Sequence, residues 1–257
     1  MRRRVLAIEV PVLALAIFML APGAIYDKLA VGLRGVSAQR LSHSLLVDGA
    51  PLPLEARMYG IFVGFALAVG LVWLRGGYRR ARLPRGPILV FLCLLVGAMA
   101  LDGVNALLAD VRGAFLYEPR NDLRLATGLL AGAATAGFVA PIVSLGFWKT
   151  TEQRQLYAGW TDLPLVLLAS TVVALCVLSG FGGGGVLSAV GAAAVVGGAW
   201  MVGAHLWILL WDGVGQAERW SDLIGAEVVG LALGLGLLAG MAAIRGWMMS
   251  LGVTWGS

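Results

Sequence analysis

Charge is scarce in this sequence. Only 13% of its 257 residues are Asp, Glu, Lys or Arg, while 60% are apolar and the mean hydropathy is +0.88. A soluble domain carries roughly 25% charged residues. A chain with so few could not clothe a water-facing surface, so a soluble globule is excluded and a bilayer is the fitting solvent.

Cysteine and histidine are scarcer still. Cys93 and Cys176 each lie inside an apolar run, where a free thiol behaves as a small hydrophobe. The two histidines are His43 and His205, and no CxxC or HExxH spacing occurs, so no local metal site is written here. A phosphate loop, a nucleophile elbow and a paired-carboxylate signal are missing too. No cofactor is expected, and an enzyme acting on a membrane lipid ranks third among the functional readings. The net charge of +5 and pI near 9.7 raise the question of nucleic acid. The basic residues, however, sit in short loops between apolar runs, which is how membrane topology is written. No nucleic-acid partner is expected.

What is abundant is apolar runs of spanning length. About 20 apolar residues in a helix cross a hydrocarbon core of ~30 Å. Seven segments meet or approach that length: Val5–Ala24, Met58–Leu74, Pro87–Leu108, Leu125–Phe147, Leu163–Gly180, Val186–Trp211 and Leu223–Ile244. Open sheet edges cannot face lipid, so the expectation is an all-α bundle of about seven transmembrane helices without strands, residues 1–257 forming one integral membrane domain. Arg2, Arg3 and Arg4 before the first run, with A-P-G-A after it, also fit a secretory signal. Glu9 and Pro11 inside the run, and its length, favour a retained span, and both readings stay open. Lys and Arg in the connections divide eleven to eight in favour of a cytoplasmic N-terminus. The short connection W-L-R-G-G-Y-R-R-A-R-L-P-R is the strongest indicator. A multi-pass protein of the cell inner membrane is expected.

The connections differ in kind. F-G-G-G-G, after the fifth run, is a tight helical hairpin with no room for a site. The first connection, Ile25 to Arg57, is long, and Leu29, Leu33, Val36, Leu41 and Leu45 recur in it at three- to five-residue steps. Part of it is expected as a helix in the membrane interface. The third, A-D-V-R-G-A-F-L-Y-E-P-R-N-D, is dense in charge. Two helices separate these connections, so both lie on one side of the membrane, the side where chemistry should be sought.

Three polar groups converge there: A-R-M-Y-G, L-D-G-V-N and N-D-L-R-L-A-T-G. Asp102 and Asn105 share a helix face, as do Asn121, Arg124 and Thr127. A charge near the bilayer edge is expensive unless paired or hydrated, so Asp102 is expected to pair with Arg124 or Arg57. Gly128, Gly132 and Gly137 let a neighbouring helix approach closely. A structural reading competes: Asn121 as an N-cap, Asp122 complementing the helix dipole, and Arg124 snorkelling to phosphates.

The stretch S-A-Q-R-L-S-H-S-L-L-V-D-G-A-P-L-P-L-E-A-R-M-Y-G-I-F-V-G, with Asp102–Gly103 and the pattern Asn121, Leu123, Arg124, Thr127, Gly128 and Gly132, resembles the signature of an uncharacterised family. Its members are multi-pass prokaryotic membrane proteins with a domain of unknown function. The resemblance covers roughly residues 35–148 and implies a membrane protein with no assigned activity. Where the family's pattern has Cys and His, this chain has Ser37, Ala38, Glu55 and Met58. A thiolate site cannot be built from these, so an inherited function would rest on Arg57, Asp102, Asn105, Asn121, Arg124 and Thr127.

Glu9, His205 and Glu227 form a weaker group, expected at the opposite, cytoplasmic end. There a histidine beside a carboxylate could relay protons, or His205 sits structurally among Trp200, Trp207 and Trp211. The last run carries Gly230, Gly234, Gly236 and Gly240, spaced for close helix contact within the bundle or with a protein partner.

Two functional readings follow. In the first, Arg57 and Arg124 hold an anionic lipid headgroup or a small anion for binding or transport. Asp102 orients them, and Asn105, Asn121 and Thr127 supply hydrogen bonds. In the second, the chain is a non-catalytic accessory subunit of a larger membrane complex.

Overall fold

The computed structural model describes residues 24–158 and 161–252. The expected first span up to residue 23, and Glu9 with it, lie outside the described residues. Helix α1 (Ile25–Leu33) opens the described chain. A 3₁₀ turn (Leu41–His43), strand β1 (Ser44–Val47) and strand β2 (Ala50–Glu55) follow. Then come α2 (Ala56–Leu74), β3 (Arg80–Arg82), α3 (Pro87–Arg112), α4 (Asn121–Phe147), β4 (Glu152–Gln155), α5 (Asp162–Leu178), α6 (Gly183–Trp207) and α7 (Trp220–Ser250). Among the described residues, α2, α3, α4, α6 with the turn that extends it, and α7 are long and apolar enough to cross a membrane. Helix α5 is apolar but only 17 residues long. The second to seventh expected runs each fall on one of these six helices. The chain is an all-α polytopic bundle.

Two helix pairs make the frame. Gly60 and Gly64 on α2 face Gly128 and Gly132 on α4, so that backbone lies on backbone. A methyl on Gly60 would stand 2.5 Å from the Leu125 carbonyl oxygen, and one on Gly128 2.5 Å from that of Arg57. The neighbour invited by Gly128 and Gly132 is therefore α2, with a matching pair of its own, whereas Gly137 faces the Leu92 and Tyr157 side chains. In the second pair, Gly203 and Ala204 on α6 meet Gly230 on α7, and Gly234 meets Ala199. Gly236 and Gly240 have open space before them. Between the pairs runs an apolar groove of about 570 Å³, lined by Phe62, Phe65, Val139, Val202 and Leu238, with His205 also on its wall.

Helix α3 is polar inside and apolar outside. Only Leu92, Asp102, Asn105 and Ala106 are buried on it, while Val90, Leu94, Leu101, Val104 and Val111 are exposed. Lipid solvates the second group at no cost, whereas the first requires protein partners.

The expectation of a chain without strands is corrected here. Hydrophobic residues flank Asp48–Gly49, and both turn residues take positive φ (53° and 79°), the geometry of a tight hairpin. β1 and β2 pair antiparallel across it. The bilayer forbids only lipid-facing sheet edges, and this hairpin packs on protein, with Leu52 and Leu54 in the same core cluster as Tyr59 and Leu187. The Asp48 carboxylate accepts from the Gly184 backbone N–H at 2.7 Å, capping the start of α6. β3 and β4 form a short parallel pair between two connections at the opposite end of the bundle.

The periodic stretch in the first connection is α-helical only over Ile25–Leu33. Leu33 is buried, Leu29 and Val36 pack beside it, Leu45 lies on β1 and Leu41 is exposed. The turn after α1 is held by Arg245 of α7, which donates to the carbonyls of Arg34, Ser37 and Ala38. Those carbonyls belong to the C-cap and to the turn that follows the helix, outside its own hydrogen-bond ladder.

Candidate functional site

The hairpin end of the bundle gathers the charged residues of the first and third connections. Their meeting is fixed by contacts across the chain: Asn121 Nδ2 donates to the carbonyls of Ser42 at 3.2 Å and Ser44 at 3.0 Å. Arg40 Nη1 donates to Asp110 Oδ2 at 3.1 Å.

Asp102 is 2% exposed and is the anchor. Arg57 Nη2 lies 2.5 Å from its Oδ2, and the Tyr117 hydroxyl donates to Oδ1 at 2.8 Å. Of the two expected pairings, the structure makes the one with Arg57. Asn105, one turn further along α3, accepts from the Leu116 N–H at 2.7 Å and donates to the Tyr117 carbonyl at 2.9 Å. It thus folds the connection back over the helix end and delivers Tyr117 to Asp102. Burial raises the Tyr117 phenol above its ordinary value, and the hydrogen bond to Asp102 adds to the rise, so the phenol stays a donor at neutral pH. Thr127 donates within its own helix to Leu123 at 2.8 Å and lies 3.5 Å from Asp102.

Arg124 is only 5% exposed, which corrects the snorkelling expectation. Its Nη1 donates to Asn121 Oδ1 at 2.8 Å and to the Ser42 carbonyl at 3.3 Å. Among the described residues it forms no ion pair with a carboxylate. Asn121 is the first residue of α4, with Arg120 at the cap position, so Asn121 is not the N-cap. Its side chain instead ties Arg124 to the hairpin connection.

These contacts enclose a cavity of about 240 Å³, lined by Arg40, His43, Glu55, Arg57, Asp110 and Arg124, with Gly103, Ala106 and Leu107 as its floor. Arg57 and Arg124 of the six expected residues line it. Asp102, Asn105, Asn121 and Thr127 build its walls from behind, their hydrogen bonds already used. Sequence reasoning passed over Arg40, His43, Glu55 and Asp110. The D-G turn of the hairpin could have signalled the first three, because it returns Glu55 to the neighbourhood of Arg40 and His43. Arg40 donates to Glu55 Oε1 from both its backbone N–H and Nε at 3.1 Å. His43 Nε2 is 3.4 Å from Asp110 Oδ2, and its Nδ1 is 4.0 Å from Glu55 Oε1. Burial, then Arg124 and Arg40, hold the imidazole below its ordinary value, outweighing the opposite pull of Asp110 and Glu55. Ser37 and Glu55, two positions at which the resembled pattern carries Cys, adjoin: Ser37 Oγ accepts from the Glu55 N–H at 2.9 Å.

The opposite end is built from aromatic rings. Trp148 and Trp220 meet edge to face with centroids 4.7 Å apart, and Tyr78 packs on both. Asp162 is buried there between Arg80 at 2.6 Å and Arg75 at 3.3 Å. The second expected group is not assembled by contacts among the described residues. His205 lies beside Phe147, ring centroids 6.3 Å apart, and its Nδ1 is buried without a hydrogen-bond partner. Among the described residues Glu227 shares neither a hydrogen bond nor an ion pair with it, and its backbone carbonyl accepts from Trp200 Nε1 at 3.0 Å.

No curated protein and no solved structure matches this chain. Residues 37–138, a stretch that holds every residue lining the cavity and leaves α5, α6 and α7 outside, match the model of the family described as a predicted membrane protein (DUF2085).

Proposed function

We propose that the cavity at the hairpin end binds an anionic group, a lipid phosphate headgroup or a small anion, from the extracytoplasmic side. One observation carries the reading: three guanidinium groups line a single small cavity, and Arg124 among them is buried with no carboxylate partner among the described residues. A buried cation without a counter-charge is costly, and an anion in the cavity would supply that charge. Arg57 and Arg40 are already oriented by Asp102, Glu55 and Asp110, leaving their remaining N–H groups for a phosphate's oxygens.

Native mass spectrometry of the protein taken gently from its own membrane, wild type beside Arg124→Ala, tests this. A discrete lipid or anion adduct in the wild type that is missing from the variant is the expected result. An adduct retained equally by both would overturn the reading. A protein partner at fixed stoichiometry, bound equally by both forms, would favour the accessory-subunit reading, for which the open Gly236 and Gly240 on α7 offer a contact stripe.

A further inference from the structure

The charges around the cavity balance while His43 is neutral. Arg40, Arg57 and Arg124 bring three positive charges, and Glu55, Asp102 and Asp110 bring three negative ones. Arg40 is shared by two of these carboxylates, Glu55 and Asp110, so an anion that pairs with Arg124 leaves the enclosure as a whole with a net negative charge. His43 is the titratable group at the cavity whose ordinary range lies near neutrality. It is 5% exposed, and its Nδ1 is buried without a hydrogen-bond partner. The groups that face it come from every side: Arg40 from the preceding turn, Glu55 from β2, Asp110 from α3 and Arg124 from α4.

The geometry points to a proton-linked site: we propose that the cavity takes up an oxyanion together with one proton, which His43 carries on Nδ1 between Glu55 and Asp110. This rests on the anion-binding reading and extends it. With the site empty, a proton on His43 is opposed by Arg124 and Arg40. With an anion present, those two cations are engaged, and the same proton is attracted by the ligand, Glu55 and Asp110. Charge is conserved at each step: the proton comes from solvent, the anion binds, and both leave together.

Two probes that stay ionised with one fixed charge state across the neutral range keep the proton count unambiguous: sulfate for a free oxyanion and short-chain phosphatidylglycerol for a lipid headgroup. Calorimetric titration of the full chain in detergent, in buffers of different ionisation enthalpy, reads the protons taken up per anion bound. The expected result is about one, with affinity falling about tenfold per pH unit above the histidine range. His43→Gln is expected to bind more weakly, with no buffer dependence and no pH dependence. Proton uptake with sulfate assigns the site to a free anion, and uptake with the lipid alone assigns it to a headgroup. Binding of either probe with no buffer dependence would overturn the proton linkage and leave the anion reading standing. Failure of both probes to bind at any pH would overturn the anion reading itself. Should His43→Gln not fold, Asp110→Asn is expected to move the proton-linked range to lower pH, and an unmoved range would overturn the assignment to His43.

Discussion

The two ends of the bundle use the same materials to different effect. At both, Arg side chains meet a buried carboxylate: Arg57 with Asp102 at the hairpin end, Arg80 and Arg75 with Asp162 at the tryptophan end. At the tryptophan end aromatic rings pack against one another. Trp73, Tyr78, Trp148 and Trp220 interlock, and the Arg79 guanidinium lies 4.8 Å over the Trp148 ring. At the hairpin end no aromatic side chain fills the gap between Arg40, His43, Arg57 and Arg124, and a cavity is left. The lesson is that a buried ion pair alone does not mark a site. The proposed site differs in having a buried cation that faces an open volume.

The largest effects should come from the two anchors. Asp102→Ala strands Arg57, and Asp162→Ala strands Arg80. Each is expected to cost about 3 kcal/mol, because a buried charge is left uncompensated, measured as loss of thermal stability in detergent. The anchors should separate in a second readout. The Asp102 variant is expected to lose anion or lipid retention, while the Asp162 variant keeps it in whatever fraction stays folded. Equal loss in both would erase the distinction between the ends. Removing Arg57 together with Asp102, as Arg57→Met with Asp102→Ala, should recover much of the stability without recovering retention.

Next in size is the glycine seam that sets the distance between α2 and α4. Gly132→Ala places a methyl against the Ile61 carbonyl, and about 2–3 kcal/mol of destabilisation is expected from overpacking against backbone. Gly236→Ala, with open space before it, is expected to be neutral or to stabilise by roughly 0.5–1 kcal/mol through helix propensity. Thermal unfolding of the two side by side decides it, and a Gly236→Ala variant that instead loses a co-purifying protein would reveal α7 as a docking face. Arg124→Gln should be milder for the fold, since it removes a charge that lacks a carboxylate. It should weaken binding of an anion about tenfold, the worth of one charge-assisted hydrogen bond at ~1.4 kcal/mol.

The helices were legible because length and hydropathy suffice to write them: each run from Met58 to Ile244 lies on a helix, and the close approach signalled by Gly128 and Gly132 is met by Gly60 and Gly64. The hairpin was not, although S-L-L-V-D-G-A-P-L-P-L-E carries a hairpin turn at its centre. The bilayer rule excludes only lipid-facing edges, and this segment packs on protein. That omission hid half of the site. Arg57 at the edge of one apolar run and Asp102 within another stand out as isolated charges. Arg40, His43 and Asp110 sit in or beside polar connections, where composition alone does not separate a wall of a cavity from a solvated loop. Only the register of β1 on β2 brings Glu55 back to Arg40 and His43.

The smallest expected effect sharpens the comparison most, because it belongs to one end alone. His43 in the empty protein is held below its ordinary value of 6.5 by burial and by Arg124 and Arg40. The unfolded chain therefore binds the proton more readily than the folded one, and stability must rise with pH through the histidine range. The contribution is fully present above 6.5 and is lost as pH falls below it. Thermal unfolding in detergent at about pH 7.5 and pH 5.5 should show the wild type losing more on acidification than His43→Gln, with the tryptophan end contributing nothing to the difference. Saturating sulfate should shrink that loss in the wild type, since a bound anion favours the proton that the empty site repels. An acid loss identical in His43→Gln would place its origin outside His43.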